Sequence, residues 1–288
     1  MRSMGFTFAM SLATLLLGAG STHATTIQNF DDPGTPYTLT QYFNAPGGTV
    51  LAGGPDGNFL RLATAGGHVV RPAYETGNTI GFELTDPGAH AAILVDFDFR
   101  MTRVGSGADG FGFALLNTSA FGTSGAAPWF AEGVGVPGSL PGSLALGFDI
   151  FRNFVTGDPN NNYVKLTLGA ATLATIADPG IDLASGAFVH AHLEVQPAPG
   201  GATVSLVLTP VGGAPVSPLQ DFFVAGFAPY EARVAFGART GLAASAHHDL
   251  DNIRVDFVPA PPAAGLVALG LAALGGRRLC STRRRRPV

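Results

Sequence analysis

The chain has 288 residues, including 40 Gly and 21 Pro, and only 12% are charged, which excludes a coiled coil and a highly charged disordered protein. Seven of its 16 basic residues lie in the two ends, so 25–257 holds nine basic residues against 20 acidic ones, about −11 in net charge. A nucleic-acid partner is disfavoured, because binding phosphates requires clustered cations. The single cysteine, Cys280, lies in the tail, which leaves the rest without a disulfide, a cysteine-ligated zinc or a thiol nucleophile.

Residues 1–24 have the features of a secretory signal. Arg2 precedes an apolar run over 4–19, and 21–24 supply small residues at the positions that a signal peptidase reads. We predict cleavage after Ala24. A buried first helix is the alternative interpretation of this run.

Between 25 and 257, short apolar runs alternate with clusters of Gly, Pro, Asn and Asp, and no long helical pattern occurs. This arrangement is typical of a β-sandwich. The predicted strands are 92–101, 111–117, 144–151, 163–168, 188–195, 202–208, 233–238 and 252–257. Eight or more strands in one domain of about 230 residues predict an all-β, two-sheet antiparallel jelly roll.

One segment in the middle of the chain combines acidic and amide side chains. Asp149 and Asn153 are four residues apart in an extended stretch, so their side chains can point the same way, and Gly157 lets the chain fold back to present Asp158. With the carbonyl of Phe151, these groups form an oxygen-only shell of the kind that calcium prefers. An Asp- and Asn-rich turn that closes a hairpin is the alternative.

Three blocks share one order and spacing with a known family. They are Gly-Ala-Asp-Gly-Phe-Gly-Phe-Ala at 107–114, the segment 146–159, and 233–252 with its small-residue loop. Together they resemble the legume-type (L-type) lectins, concanavalin-like jelly rolls that bind sugars beside a calcium ion. The resemblance extends over about 25–257, and only these blocks are specific.

The resemblance implies a sugar-binding role for Asp109, which in that family often follows a cis peptide bond from a residue like Ala108. It also implies that Gly133 belongs to a loop donating backbone hydrogen bonds to the sugar. The loop 242–247 matches the family's variable specificity loop. A buried carboxylate acceptor suits the vicinal hydroxyls of a sugar.

The resemblance further implies that Asp149, Asn153 and Asp158 ligate calcium through their side chains. Asn153 would also donate its amide to the sugar. Phe151 would ligate calcium through its carbonyl and stack its ring on the pyranose. Calcium would fix this geometry.

Two positions depart from the family pattern. Many members have a glutamate and a histidine that bind a neighbouring transition metal, where this chain has Gly147 and Tyr163. Without carboxylate or nitrogen ligands there, we expect calcium only and no transition metal.

Several other aromatic and imidazole side chains have a plain structural interpretation. We expect His247 and His248 to cap the loop before the last strand and contact solvent, and His190 and His192 to lie on the surface. For Trp129, core packing is favoured, and a second carbohydrate-stacking platform is the alternative.

The tail 258–288 contains Val-Pro-Ala-Pro-Pro, an apolar run over 263–276 and two arginine clusters. It resembles PEP-CTERM sorting signals of Gram-negative, biofilm-forming bacteria, with Ala260 where that family usually has Glu. The resemblance implies an exosortase-type partner, a membrane helix in the inner membrane before processing, and a final place in the cell envelope, at the surface or in the extracellular matrix. An amphipathic helix or a basic nucleic-acid tail is the alternative.

These observations predict an exported, calcium-dependent carbohydrate-binding protein that acts on extracellular polysaccharide. A structural biofilm-matrix protein without sugar binding is one alternative, since fold does not fix function. An enzyme is disfavoured, because related glycosidases place two carboxylic acids close together, commonly in Glu-x-Asp-x-x-Glu. All five glutamates of this chain are isolated.

Overall fold

A computed structural model describes residues 25–43, 45–66, 75–87, 89–132, 140–154, 157–228, 231–241 and 245–260. The predicted signal 1–24, Gly133, the residues 242–244 and most of the sorting tail lie outside them. The described strands are β1 Thr25–Gln28, β2 Tyr37–Tyr42, β3 Thr49–Ala52, β4 Asn58–Ala63, β5 Glu75–Phe82, β6 His90–Val104, β7 Gly110–Asn117, β8 Leu144–Asp149, β9 Tyr163–Leu168, β10 Ala171–Ile176, β11 Val189–Ala198, β12 Gly201–Pro210, β13 Val216–Ala225, β14 Ala232–Gly241 and β15 Ser245–Pro259.

The strands form two antiparallel sheets, as the alternating pattern predicted. One sheet has eight strands in the order β13-β12-β11-β6-β15-β4-β3, with β1 also paired to β15. The other has seven in the order β10-β9-β8-β7-β14-β5-β2. Each predicted run lies on one of β6–β9, β11, β12, β14 and β15, while β1–β5, β10 and β13 were not predicted.

Side-chain alternation along the strands decides which face is buried. In β11 the inward residues Val189, Ala191, Leu193 and Val195 are each at most 1% exposed. The residues between them, beginning with His190, reach the outer face. The end of β15 follows the same period of two, so both predicted patterns are confirmed.

Phenylalanine rings from both sheets interlock in the core. Phe97 and Phe99 extend from β6 towards Phe111, Phe148 and Phe236 of the seven-stranded sheet, with ring centroids 4.7 Å apart for Phe99 and Phe148 and 5.1 Å for Phe97 and Phe236. Burying one such side chain contributes about 1.5–3 kcal/mol. The rings therefore hold the two sheets in a fixed relation, and the strand ends that carry polar side chains are fixed with them.

Helix is nearly absent from the described part of the chain. The single turn α1, Thr118–Phe121, begins at Asn117, whose side chain accepts a hydrogen bond from the Ser119 N–H at 2.9 Å. Among the described residues, no helix has the length and apolar character needed to span a bilayer.

The prediction for His248 was wrong. Its side chain is completely buried, because it shares the inward face of β15 with Ala246 and Leu250. Burial is the main cause that lowers the pKa of His248 to about 4. His247 points the other way, is partly exposed, and accepts a hydrogen bond on Nδ1 from the Ala65 N–H at 3.1 Å.

Candidate functional site

Three neighbouring strands of the seven-stranded sheet bring the sequence blocks together. At one end of the sheet Gly110 of β7 pairs with Asp149 of β8 on one side and with Arg239 of β14 on the other. Residues about 40 and 130 positions apart in the chain thus lie on adjacent strands. This strand end carries the candidate site.

Asp109 lies immediately before β7 and follows a cis peptide bond from Ala108. Its backbone N–H donates to the Arg239 carbonyl and its carbonyl accepts from the Ile150 N–H, both at 3.0 Å. The residue is 5% exposed. Asp109 is therefore fixed between the ends of two neighbouring strands, and the cis bond that the resemblance implied is present.

Arg239 contacts this carboxylate and was not identified from the sequence. Its Nε lies 3.4 Å from Asp109 Oδ2, and its guanidinium also pairs with Glu132. Glu132 is the last described residue before the loop that contains Gly133. The predicted role of Gly133 thus concerns a residue outside the described ranges and stays a prediction. The arginine orients Asp109 and balances part of the negative charge.

The loop after β8 gathers the predicted calcium ligands. Asp149 Oδ1 accepts from the Phe151 N–H at 2.8 Å, and Asp158 Oδ2 accepts from the Asn153 N–H at 2.9 Å. Asp149 and Asp158 are 1% and 7% exposed. Gly157 has φ 78°, the backbone conformation that allows the chain to turn back. The four predicted ligand residues thus share one hydrogen-bonded loop.

Two side chains of β9 contact these buried carboxylates, one as a hydrogen-bond donor and one as a cation. The Tyr163 hydroxyl donates to Asp149 Oδ2 at 2.7 Å, and Lys165 Nζ lies 3.8 Å from Asp158 Oδ1. Lys165 is the cross-strand partner of Gly147, where no side chain competes for this space. From the sequence, Tyr163 was identified only as a missing metal ligand, and Lys165 was not assigned to this loop.

Burial is the largest cause of the pKa shifts in this loop. Burial, with the neighbouring charge of Asp158 adding to it, raises the pKa of Asp149 to about 7, against hydrogen bonds from Tyr163 and Phe151. Burial and the two carboxylates also raise the pKa of the Tyr163 phenol. Two acidic groups this close and this buried favour binding of a cation.

A cleft of about 440 Å³ adjoins the loop. Phe151 and Asn153 line it, and Asp109 does not. Phe154, which was not predicted, also lines it, is 79% exposed, and carries the Arg152 guanidinium 4.7 Å from its ring centroid. The cleft thus offers an amide and two aromatic rings beside a buried carboxylate loop.

The donor set of the loop fits calcium in chemistry and charge. It contains two carboxylates, one amide oxygen and backbone carbonyls, all of them oxygen donors. Within the described ranges, no group of three or more His, Cys, Asp or Glu side chains is arranged as a metal site. The two carboxylates would therefore require the amide, a carbonyl and water to complete a shell.

No protein-family model matches the chain, and no curated protein does. Solved structures are similar to it over 82% of its length. Peanut lectin with a nine-residue peptide has a TM-score of 0.60 at 15% identity, with 97% of that chain covered. Lectin I-B4 of Griffonia simplicifolia in its metal-free form gives 0.58 at 16%, and lectin I of Ulex europaeus with the methyl glycoside of α-L-fucose gives 0.59 at 15%, each with 98% covered. At these identities the likeness establishes the fold.

Proposed function

We propose that the protein is a calcium-dependent carbohydrate-binding protein of the lectin type. The observation that carries the proposal is the loop of Asp149, Phe151, Asn153 and Asp158, which lies beside the buried Asp109 at one end of the sheet. Several lectins with this fold were solved with sugars, including α-L-fucose methyl glycoside and N-acetylgalactosamine. Their ligands support a sugar as the ligand class here.

The calcium ion would be held by the carboxylates of Asp149 and Asp158, the amide oxygen of Asn153 and the carbonyl of Phe151. When bound, it supplies positive charge that neutralises the two carboxylates and fixes the loop. Tyr163 and Lys165 already hold the same carboxylates in place, so the ion would bind to a largely formed loop.

The protein's own side chains would make the contacts to the sugar. Asp109 accepts hydrogen bonds from two adjacent hydroxyls, and Arg239 keeps its carboxylate aimed. Asn153 donates its amide N–H to a ring substituent. The rings of Phe151 and Phe154 form the apolar wall for the C–H face of the pyranose, a stacking that adds to simple area burial.

We further propose that the protein is exported and sorted to the envelope of a Gram-negative bacterium. The signal-like residues 1–24 and the arginine-rich tail support this, with an exosortase-type enzyme as the partner and extracellular polysaccharide as the ligand. Fractionation of cells that express the full chain tests it. Surface or matrix location should be lost when residues 263–286 are deleted, and retention of the deleted form at the surface contradicts the sorting role.

A structural matrix protein without a ligand is the second candidate. The observation that favours it is the internal pairing of Asp149 with Tyr163 and of Asp158 with Lys165, which leaves both carboxylates partnered without an ion. Polysaccharide cleavage is the third and weakest candidate. A reducing-sugar assay over a polysaccharide panel should give no release, and any release that the wild type shows would refute the non-enzymatic proposal.

Glycan-array binding in calcium and in EDTA tests the main proposal. We expect binding in calcium that disappears in EDTA and that is lost in Asp109→Ala and Asn153→Ala. Asp221→Asn is the matched control, because Asp221 is exposed on β13, at the edge of the other sheet, where its Oδ1 accepts from the Ser205 hydroxyl at 3.2 Å. Unchanged affinity in both alanine variants would support the matrix protein instead.

A further inference from the structure

A second group of carboxylates lies on the eight-stranded sheet, outside the candidate sugar site. The register of β15 against β6 shifts between Asp251 and Arg254, and this irregularity faces the turn between β3 and β4. Asp98 of β6 is the cross-strand partner of Asp251. Asp31 and Asp56 approach from the segment after β1 and from the turn, and both act electrostatically on Asp251.

Asp251 is the buried member of this group. It is 1% exposed, and its Oδ1 accepts from the Asn252 N–H at 2.8 Å. Its Oδ2 is fully buried and has no hydrogen-bond partner among the residues that the structure describes. An ionised oxygen in such a position is strongly unfavourable unless it pairs with a charge or a metal. Burial, with the charges of Asp98, Asp31 and Asp56, raises its pKa to about 7, against the Asn252 hydrogen bond.

Asp251 Oδ2 faces the turn between β3 and β4, which contains Gly54 and Gly57. A Cβ on Gly54 would lie 2.4 Å from Asp251 Oδ2 and 3.0 Å from the carbonyl oxygen of Asn58. A Cβ on Gly57, where φ is 151°, would lie 2.2 Å from Asp31 Oδ2. Only glycine therefore lets the turn approach the two carboxylates this closely.

The same turn fixes Asp31. The Asn58 N–H donates to Asp31 Oδ1 at 2.8 Å. Asn58 thus lies beside both carboxylates. Its N–H donates to Asp31, and its carbonyl oxygen faces the same Gly54 position as Asp251 Oδ2. Asp251, Asp31 and the Asn58 carbonyl consequently face one short stretch of backbone.

Negative charge in this group is not balanced by the described residues. Asn252 donates its amide to Asp98 Oδ2 at 2.8 Å and to Asp56 Oδ2 at 3.1 Å, and the only imidazole partner is His190, at 2.9 Å from Asp98. Within the described ranges, no basic side chain forms an ion pair with Asp31, Asp56 or Asp251. A neutral amide does not compensate three carboxylates.

We propose that this turn is a second, structural calcium site, with Asp251 Oδ2, the Asp31 carboxylate and the Asn58 carbonyl as protein ligands. Two carboxylates and one carbonyl do not fill the six to eight positions that calcium takes, so water would complete the shell. Asp56 and Asp98 add negative charge near the site, which would attract a cation. An all-oxygen set that mixes carboxylate, carbonyl and water selects calcium over zinc or copper.

The ion would connect three parts of the chain that are far apart in sequence. Asp31 follows β1, Asn58 begins β4, and Asp251 lies in β15. Its ligands lie in or next to strands of the eight-stranded sheet, whereas Asp149 ends β8 of the other sheet, so the site should act independently of sugar binding. It would act on stability rather than on ligand recognition.

Calcium stoichiometry of the full-length protein separates this proposal from the proposed function. Isothermal titration with calcium alone should give two ions for the wild type and one each for Asp251→Asn and Asp158→Asn. Asp251→Asn should retain calcium-dependent glycan binding. Asp221→Asn, which alters an exposed carboxylate on the edge strand β13, should still bind two ions.

The other outcomes discriminate between the two sites. If the wild type binds a single ion and Asp251→Asn still binds it, the second site is overturned. If the wild type binds a single ion and Asp158→Asn still binds it, the second site is supported and calcium at the sugar site is overturned. Absence of any bound ion overturns both.

A second variant and a second readout guard against misfolding of Asp251→Asn. Asp31 is exposed, so Asp31→Asn should fold and weaken the second ion by about tenfold or more. Calcium should raise the Tm of Asp158→Asn, and this increase should vanish in the Asp158→Asn, Asp31→Asn double variant. An equal increase in both overturns the proposal.

Discussion

The two carboxylate groups of this molecule are compensated in different ways. Beside the cleft, the chain itself supplies a hydroxyl from Tyr163 and an ammonium from Lys165 to the pair of Asp149 and Asp158. At the β3–β4 turn, His190 contacts Asp98, but no cation of the described chain contacts Asp31, Asp56 or Asp251, and Asp251 Oδ2 is left without a partner there. A site that carries its own cation holds its shape when calcium is removed, whereas a site without one depends on the ion.

The largest expected effect concerns the ligand. Asp158→Asn should weaken glycan binding about 100-fold, because it removes the negative charge of a calcium ligand while keeping an oxygen that can accept from the Asn153 N–H. Asp251→Asn should change glycan affinity less than about twofold in saturating calcium. Affinities from biolayer interferometry on an array-identified glycan measure both. Equal losses in the two variants would mean that the groups form one coupled unit.

A buried histidine of β15 gives an effect of similar size, on stability rather than on ligand binding. The lowered pKa of His248, caused first by burial, means that the unfolded chain binds a proton between about pH 6.5 and 4 and the native state does not. Stability should therefore decrease by roughly 3 kcal/mol as the pH falls through this window. His248→Leu should lose that part of the pH dependence in urea unfolding at pH 7.5 and 4.5. A parallel decrease in wild type and variant would assign the acid sensitivity to other groups.

Removal of the Lys165 ammonium tests whether this internal cation competes with calcium for Asp158. Lys165→Met takes away an ammonium 3.8 Å from Asp158, so calcium should bind about tenfold more tightly while the Tm in EDTA falls. Titration calorimetry and thermal unfolding measure the two changes. Weaker calcium binding would mean that Lys165 positions Asp158 rather than competing with the ion.

The smallest effect is expected on the outer face of the eight-stranded sheet. Hydrogen bonds to Asp96 and Asp98 raise the pKa of His190 to about 9, so the native state holds the proton more tightly than the unfolded chain. The resulting stability is complete below about pH 6.5 and is lost as the pH rises through 9. His190 is 46% exposed, so His190→Gln should cost less than about 1 kcal/mol at pH 6 and nothing at pH 10. A loss that persists at pH 10 would assign the role to packing.

Clear alternation is what made some strands predictable. β11 and the end of β15 have one face in the core and one in water, so the period of two is visible in the residues themselves. β3 and β10 are largely exposed, and β13 contains Pro218, so no such period marks them. Extended back from Ile253, the same parity places His248 on the outer face with Asn252 and Arg254. The register shift between Asp251 and Arg254 reverses this parity, so alternation alone did not predict the burial of His248.

The candidate site also combines residues that local sequence spacing predicted with residues that it did not. Asp149, Asn153 and Asp158 lie within ten residues, so local spacing was enough to propose that they meet. The pairing of Arg239 with Glu132 joins residues 107 positions apart, and it depends on the register of β14 against β7. Lys165 reaches Asp158 because Gly147 leaves room across the strand pair. Such contacts follow from register, which composition and spacing do not specify.

The position of β15 in the sheet constrains how the chain folds. This strand pairs with β6 on one side and with β1 and β4 on the other, and Thr25 donates to Asp256 at 2.8 Å across 231 positions. Neither β1 nor the inner edge of β6 has its partner until the ribosome has passed residue 259. The eight-stranded sheet therefore closes only after synthesis of the whole domain, by slow non-local pairing.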